Sequence, residues 1–184
     1  IFSDVRHGIF NENTLNEFNK SIPKNVFTVA DSQVASRWGN ITEFRNFDMI
    51  TPNENEARFA LGDQDSVIGR LMENLQKKTK SKTVLLKLGK NGMLVFRPNS
   101  KIQKDNFFFI DSFVDELVDP VGAGDALLAY STLSMILTNK EPISSFIGSI
   151  AASIACEQNG NIAISKDNIL KKAKKIFNDL KKYS

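Results

Sequence analysis

Apolar side chains recur along this chain with two periods, and the two periods alternate. Short runs rich in β-branched and aromatic residues stand at 47–51, stopped by Pro52, and at 83–88 and 107–110. Each reads as a strand. The run Asn-Val-Phe-Thr-Val-Ala at 25–30, just after Pro23, reads the same way, and residues 1–3 look like the end of another strand. Asn91-Gly92 predicts a hairpin turn into a strand at 93–96.

Between these runs the spacing becomes helical. Leu15 and Phe18 share a face in a short helix over 14–21. A helix over 54–61 ends at Gly62, and one over 65–78 carries Val67, Ile68, Leu71 and Leu75. The last third predicts three helices, over 123–137, 143–157 and 167–182. Strands separated by helices imply an α/β fold with a mainly parallel sheet. The 93–96 strand and its successor should add antiparallel edges. In such sheets ligands bind at the carboxyl ends of strands, so the loops after Ile50, Leu88 and Val118 are the places to look.

Composition narrows the function. The 184 residues suit one domain with a real core, and no repeat or low-complexity linker divides them. A net charge of +3 gives no case for a nucleic-acid binder. The lysines of the last helix (Lys171, Lys172, Lys174, Lys175, Lys181, Lys182) read as a solvated basic face opposite Ile169, Ala173 and Ile176. A polyanion-binding tail is the alternative. Cys156 stands alone, so no intrachain disulfide forms, and it reads as a small buried core residue. With His7 as the only histidine, neither a histidine metal site nor a Ser-His triad has enough parts. No apolar run approaches membrane-spanning length and no signal peptide is seen, which suggests a cytoplasmic protein without a membrane partner. The chain opens on Ile1 inside an apolar run, as if cut within a larger domain by processing or by a cloning boundary.

The chemistry concentrates at Asp119-Pro120-Val121-Gly122-Ala123-Gly124-Asp125, ahead of a strong helix. Two glycines flanking an alanine strip side chains from the first turn and expose backbone N–H groups. Such a terminus attracts anions through its donors and its dipole. A carboxylate beside a phosphoryl group repels it, so Asp125 suits taking a proton from an attacking hydroxyl. A plain glycine-rich turn with Asp125 as a helix-start residue is the alternative.

This loop resembles the signature Asp-Thr-x-Gly-Ala-Gly-Asp of the PfkB or ribokinase-like carbohydrate kinases, with Pro120 in place of threonine. The resemblance implies that Gly122, Ala123 and Gly124 supply an anion hole and that Asp125 is the catalytic base. Thr51-Pro52-Asn53-Glu54-Asn55-Glu56 resembles the family's Asn-x-x-Glu motif, which assigns Asn53 and Glu56 to a Mg²⁺–phosphate network through water. On the residues alone, the same pair reads as a helix N-cap with an acidic first turn. Lys87-Leu88-Gly89 falls where the family has a nucleotide-contacting Thr-x-Gly turn, with Lys87 replacing the threonine. Lys87 either contacts a phosphate or points to solvent, and Gly89 suits close approach of backbone to nucleotide. Ser149 lies in the helix that resembles the adenine side, near a position often held by asparagine. Asp119 is the candidate for a monovalent cation such as K⁺.

The resemblance spans nearly the whole chain, in family order. It implies a ribokinase-like three-layer sandwich, residues 1–184 forming the C-terminal, ATP-side part of a single kinase domain. The early strands, the lid and most sugar-binding side chains then lie outside this sequence. The expected activity of the intact protein is ATP-dependent phosphoryl transfer to a sugar or sugar phosphate, with this segment alone inactive and a homodimer of the parent expected through the lid. Arg6 and His7 are candidates for approaching a phosphorylated sugar, or else a surface arginine and a loop histidine. Thr51–Glu56 and the Gly-Asn-Ile-Ala-Ile-Ser ending are also similar to heptose-phosphate kinases. The rival readings are a nucleoside or hydroxymethylpyrimidine-type kinase of the same fold and a non-catalytic nucleotide-binding module.

Overall fold

The computed structural model describes residues 1–5, 7–33, 40–98 and 106–182. The elements run β1 (Phe2–Asp4), α1 (Glu12–Ser21), β2 (Val29–Ser32), β3 (Met49–Ile50), α2 (Glu54–Leu61), α3 (Ile68–Thr79) and β4 (Thr83–Lys87). They continue with β5 (Met93–Phe96), β6 (Phe107–Ile110), α4 (Ala123–Thr138), α5 (Glu141–Cys156) and α6 (Lys166–Leu180). The chain divides into two compact units. One is Ile1–Gly89 with Met93–Phe109; the other is Lys90–Gly92 with Ile110–Ser184.

The first unit holds a mixed sheet of six strands in the order β1-β2-β3-β4-β5-β6. β1 through β4 pair in parallel, and β5 returns antiparallel to β4, with Lys87 opposite Met93. The expected parallel sheet with an antiparallel extension is therefore present. All four residues of β2 are buried, as are Thr83–Leu86 of β4, the pattern of inner parallel strands. Ile50, Leu71, Leu75 and Leu86 anchor the core. Beside them the rings of Phe2, Phe10, Phe44 and Phe47 meet mostly edge to face, the arrangement aromatic quadrupoles favour.

Several boundaries move for local reasons. The strand expected over 25–30 starts only at Val29: residues 24 and 25 lie in a turn, and the backbone and side chain of Thr28 are tied to Asp48, whose Oδ2 accepts from both Thr28 N and Thr28 Oγ1. α3 starts at Ile68 rather than at 65, since Asp63 Oδ1 accepts from Asp65 N and Ser66 N and folds the approach into a turn. α1 starts earlier than expected because Asn11 and Thr14 form a reciprocal cap. The Asn91-Gly92 turn belongs to a longer connection that includes a 3₁₀ turn over Gly89–Asn91.

In the second unit α4 and α5 pack along a seam of small residues. Ser131, Ser144 and Gly148 lie there, and Ser144 Oγ donates to Ser131 O. α6 closes this unit with Ile169 buried against Ile150, Ala151 and Ile154. Its basic face is not wholly solvated as expected. Lys172 is buried, and its ammonium meets Asp115 and Glu157. Cys156, expected in the core, is half-buried at the end of α5, and burial, then Glu157 and Asp119, push its thiol pKa up. Among the described residues no helix is long and apolar enough to cross a membrane.

Candidate active site

The first unit gathers polar side chains at the carboxyl ends of β1 to β4. Asn53 is the N-cap of α2, and the pair expected from its spacing forms a reciprocal capping box. Asn53 Oδ1 accepts from Glu56 N at 2.8 Å, and Glu56 Oε2 accepts from Asn53 N at 2.6 Å. The cap commits one oxygen of Glu56 only; among the described residues, Oε1 accepts no hydrogen bond. Glu56 is buried, and that burial pushes its carboxyl pKa up. The charge of Lys87 and the Asn53 bond oppose the rise, and the charge of Asp31 adds to it.

Lys87 does not point to solvent. Its ammonium sits on Asp31, 3.0 Å from Oδ1 and 3.2 Å from Oδ2, and Thr51 Oγ1 donates to the same Oδ1 at 2.9 Å. The backbone explains the meeting. Lys87 N donates to Pro52 O at 2.9 Å, and Lys87 bridges Asn53 in parallel register, so the end of β4 lies beside the start of α2. One strand over, Ser32 Oγ donates to the buried Asp4 at 3.1 Å. Gly89 adopts φ +58°, which explains its glycine, while the space a Cβ would take is open.

Asp31 and Thr51 are functional candidates that the sequence reading passed over. The available signal was an acid near the carboxyl end of β2 and a hydroxyl just after β3.

The second unit holds the glycine loop. Gly122 caps α4 in the left-handed region at φ +83°, and among the described residues no side chain caps the helix terminus. Ala123 N donates to Pro120 O at 3.2 Å and Ala126 N to Gly122 O at 2.9 Å. Among the described residues, the N–H groups of Gly122, Gly124 and Asp125 meet no acceptor. Asp125 is exposed in the first helical turn. Asp119 pins the loop at two places: Oδ1 accepts from Val121 N at 3.0 Å and Oδ2 from Gly160 N at 3.2 Å. Asn161 follows in that turn, and its Oδ1 lies 2.7 Å from where a Cβ on Gly122 would stand. Ser149 is buried and donates its hydroxyl to Asp111 O at 3.0 Å, tying α5 to the segment after β6.

The two arrangements are a set of buried carboxylates and a lysine at strand ends, and a helix terminus with open amides beside a carboxylate. Both fit a phosphate-handling protein, and the comparisons agree. The sequence matches the model of the pfkB family of carbohydrate kinases over residues 9–168. The chain belongs to that family. No curated protein matches it. Among solved structures, ribokinase from Thermotoga maritima aligns with a TM-score of 0.71 at 22% identity, over 88% of this chain and 52% of that one. Arabidopsis thaliana ribokinase complexed with ribose and ATP aligns at 0.69 and 23% identity, over 88% and 51%. Escherichia coli phosphofructokinase-2 in complex with potassium aligns at 0.69 and 18%, over 87% and 50%. These likenesses establish the ribokinase-like α/β fold. The chain spans about half the length of the solved kinases it matches.

The donor set in the pfkB chain can be tested against the groups expected of it. Glu56 Oε1 and the Asp31 carboxylate are hard oxygen donors, of the kind Mg²⁺ takes when it keeps most of its water. Among the described residues no group of three or more His, Cys, Asp or Glu side chains forms an all-protein metal cage. The open amides of Gly122, Gly124 and Asp125 fit an anion. Of the two candidates near the chain start, His7 is exposed and Arg6 lies outside the described residues.

Proposed function

We propose that the intact protein transfers the γ-phosphoryl group of ATP to a hydroxyl of a sugar or sugar phosphate. The observation that carries this reading is the start of α4, where the exposed Asp125 carboxylate stands in the first turn beside the amides of Gly122 and Gly124, which meet no acceptor among the described residues. The Gly122–Gly124 segment, with the dipole of α4 behind it, holds the negative charge of the group in transfer. Asp125 takes the proton of the attacking hydroxyl onto its carboxylate.

Glu56, through Oε1, and Asn53 would hold hydrated Mg²⁺, which when bound would neutralise charge on the phosphates. Lys87 and Gly89 face the nucleotide, Ser149 belongs to the adenine side, and Asp119 is the candidate ligand for a monovalent cation. Family membership supports these roles, as do the ribose and ATP held by the Arabidopsis ribokinase and the potassium held by phosphofructokinase-2. The family match runs across both units, so we read residues 1–184 as part of one kinase domain of a cytoplasmic protein. Because the chain spans about half the length of those kinases, we expect it to be inactive alone. A homodimer of the intact protein stays part of the proposal.

The test is Asp125→Asn in the intact protein. General-base catalysis contributes roughly 10²- to 10⁴-fold, so kcat should fall by at least about 100-fold. ATP affinity should stay nearly unchanged. A variant with normal kcat removes Asp125 from the base role. A panel of sugars, sugar phosphates, nucleosides and a hydroxymethylpyrimidine names the acceptor. ATP binding with transfer to none of them would mark a non-catalytic nucleotide-binding module instead.

A further inference from the structure

Three charged side chains at the carboxyl ends of β2 and β4 and the start of α2 act on one another. Asp31 and Glu56 are buried carboxylates, and Lys87 is the ammonium that both feel. The Lys87 and Asp31 side chains are 18% and 6% exposed, so solvent screens their contact poorly. Glu56 adds a carboxylate whose Oε1 is without a hydrogen bond among the described residues, in a residue only 6% exposed. The formal charge of the cluster is thus about −1 with Lys87 in place and about −2 without it.

We propose that Lys87 is a built-in counter-cation that holds Asp31 closed to divalent metal until a phosphate-bearing ligand draws its ammonium away. The chemistry is an exchange of partners. With Lys87 on Asp31, an incoming divalent cation meets one free carboxylate oxygen, on Glu56, and a like charge beside it. When Lys87 turns to a phosphate, Asp31 and Glu56 become a two-carboxylate set, the number Mg²⁺ accepts next to phosphates. Metal and phosphate then favour each other's entry, and the coupling is reciprocal. The metal-closing half stands on the ion pair; the identity of the phosphate ligand rests on the kinase reading above.

The experiment measures Mn²⁺ alone, without nucleotide, by electron paramagnetic resonance on the intact protein. Lys87→Met should bind Mn²⁺ at least about tenfold tighter than wild type, by loss of the internal cation. Lys87→Gln, which keeps a hydrogen-bond donor for Asp31 and so guards against misfolding, should show a gain in the same direction. Adding Asp31→Asn to either variant should abolish the gain. Folding is checked by circular dichroism. Equal Mn²⁺ affinity in wild type and a folded Lys87 variant overturns the proposal. Failure of the kinase reading looks different: the intact protein would then transfer phosphate to no acceptor, while the Mn²⁺ gain stands.

Discussion

Lys172 reaches across the second unit to place its ammonium 2.6 Å from Glu157 Oε1, although α6 otherwise carries its lysines outward. The same ammonium lies 2.7 Å from Asp115 Oδ2, and Glu157 Oε1 also accepts from Asp115 N at 2.7 Å. Three segments meet there: α6, the end of α5, and the stretch leading into the Asp119 loop. Next to the cluster, Val118 N and Asp119 N both donate to Cys156 O. Removing one partner of a buried pair costs about 3–5 kcal/mol. Asp115 is 56% exposed, so solvent recovers part of that, and Lys172→Met should cost roughly 1–3 kcal/mol in urea unfolding. The pH dependence carries a sign. Bonds from Lys172 and then Lys175 hold the Asp115 carboxyl below its usual range. Its contribution is therefore present above the unfolded value near 3.9 and is lost as pH falls through the lower folded value. The gap between wild type and Lys172→Met should narrow below about pH 4. A gap that is constant with pH would remove Asp115 from the account.

Gly89 and Gly92 stand three residues apart, and both have positive φ, +58° and +84°. The surroundings separate them. A Cβ on Gly89 meets open space, whereas one on Gly92 would overlap the Ile110 carbonyl and crowd the backbone of Asp111 and Ser112. Gly89→Ala should cost only the left-handed backbone penalty, about 1 kcal/mol. Gly92→Ala adds an overlap with backbone that cannot swing aside, so about 3 kcal/mol or more is expected. Denaturant midpoints of the two variants check this, and equal losses would contradict the packing around Gly92.

What could be read without coordinates follows the range of the interactions. The Asn53–Glu56 cap was legible because both partners lie within one helical turn, and the same spacing serves the kinase motif. The strand at 107–110 and the helix at 54–61 came out at their observed bounds, since a solid apolar run and a terminal glycine define them locally. Sequence alone leaves Lys87 between phosphate and solvent because its partner, Asp31, lies 56 residues away. Helical spacing places Lys172 on a solvated face for the same reason: Asp115 is 57 residues upstream. A helical wheel shows which residues share a face, but not which carboxylate another segment brings to it.

Gly148 of α5 lies so close to Ser131 of α4 that an added Cβ would overlap Ser131 Oγ and approach Leu127 O to 3.2 Å. Overpacking of this kind costs typically 1–3 kcal/mol, which is the loss expected for Gly148→Ala. The Ser131 hydroxyl is buried without a hydrogen-bond partner among the described residues. Ser131→Ala should therefore be nearly neutral alone, and it should recover part of the Gly148→Ala loss by removing the worst overlap. Thermal unfolding of the two single variants and the double measures the coupling. Strict additivity would mean that the two side chains do not meet.

Glu56 sits in the first unit as a charge that the fold would hold more easily if it were neutral. Burial is the largest influence on it and pushes its carboxyl pKa above the usual value. An acid with a raised folded pKa contributes fully below its unfolded value, near 4.3, and that contribution is lost as pH rises through the folded value. At neutral pH the wild-type chain thus carries the cost of a buried carboxylate. Glu56→Gln keeps an oxygen to accept from Asn53 N and removes the charge, and Asn53 Oδ1 still accepts from residue 56 N. The variant should melt higher than wild type at pH 7, and the difference should close toward pH 4, where Glu56 takes up its proton. Residues kept for function are often held against stability in this way. Under the proposed function, the same variant should lose Mg²⁺-dependent nucleotide binding. A Glu56→Gln protein that melts lower at pH 7, or a difference that ignores pH, would show that the carboxylate serves the fold instead.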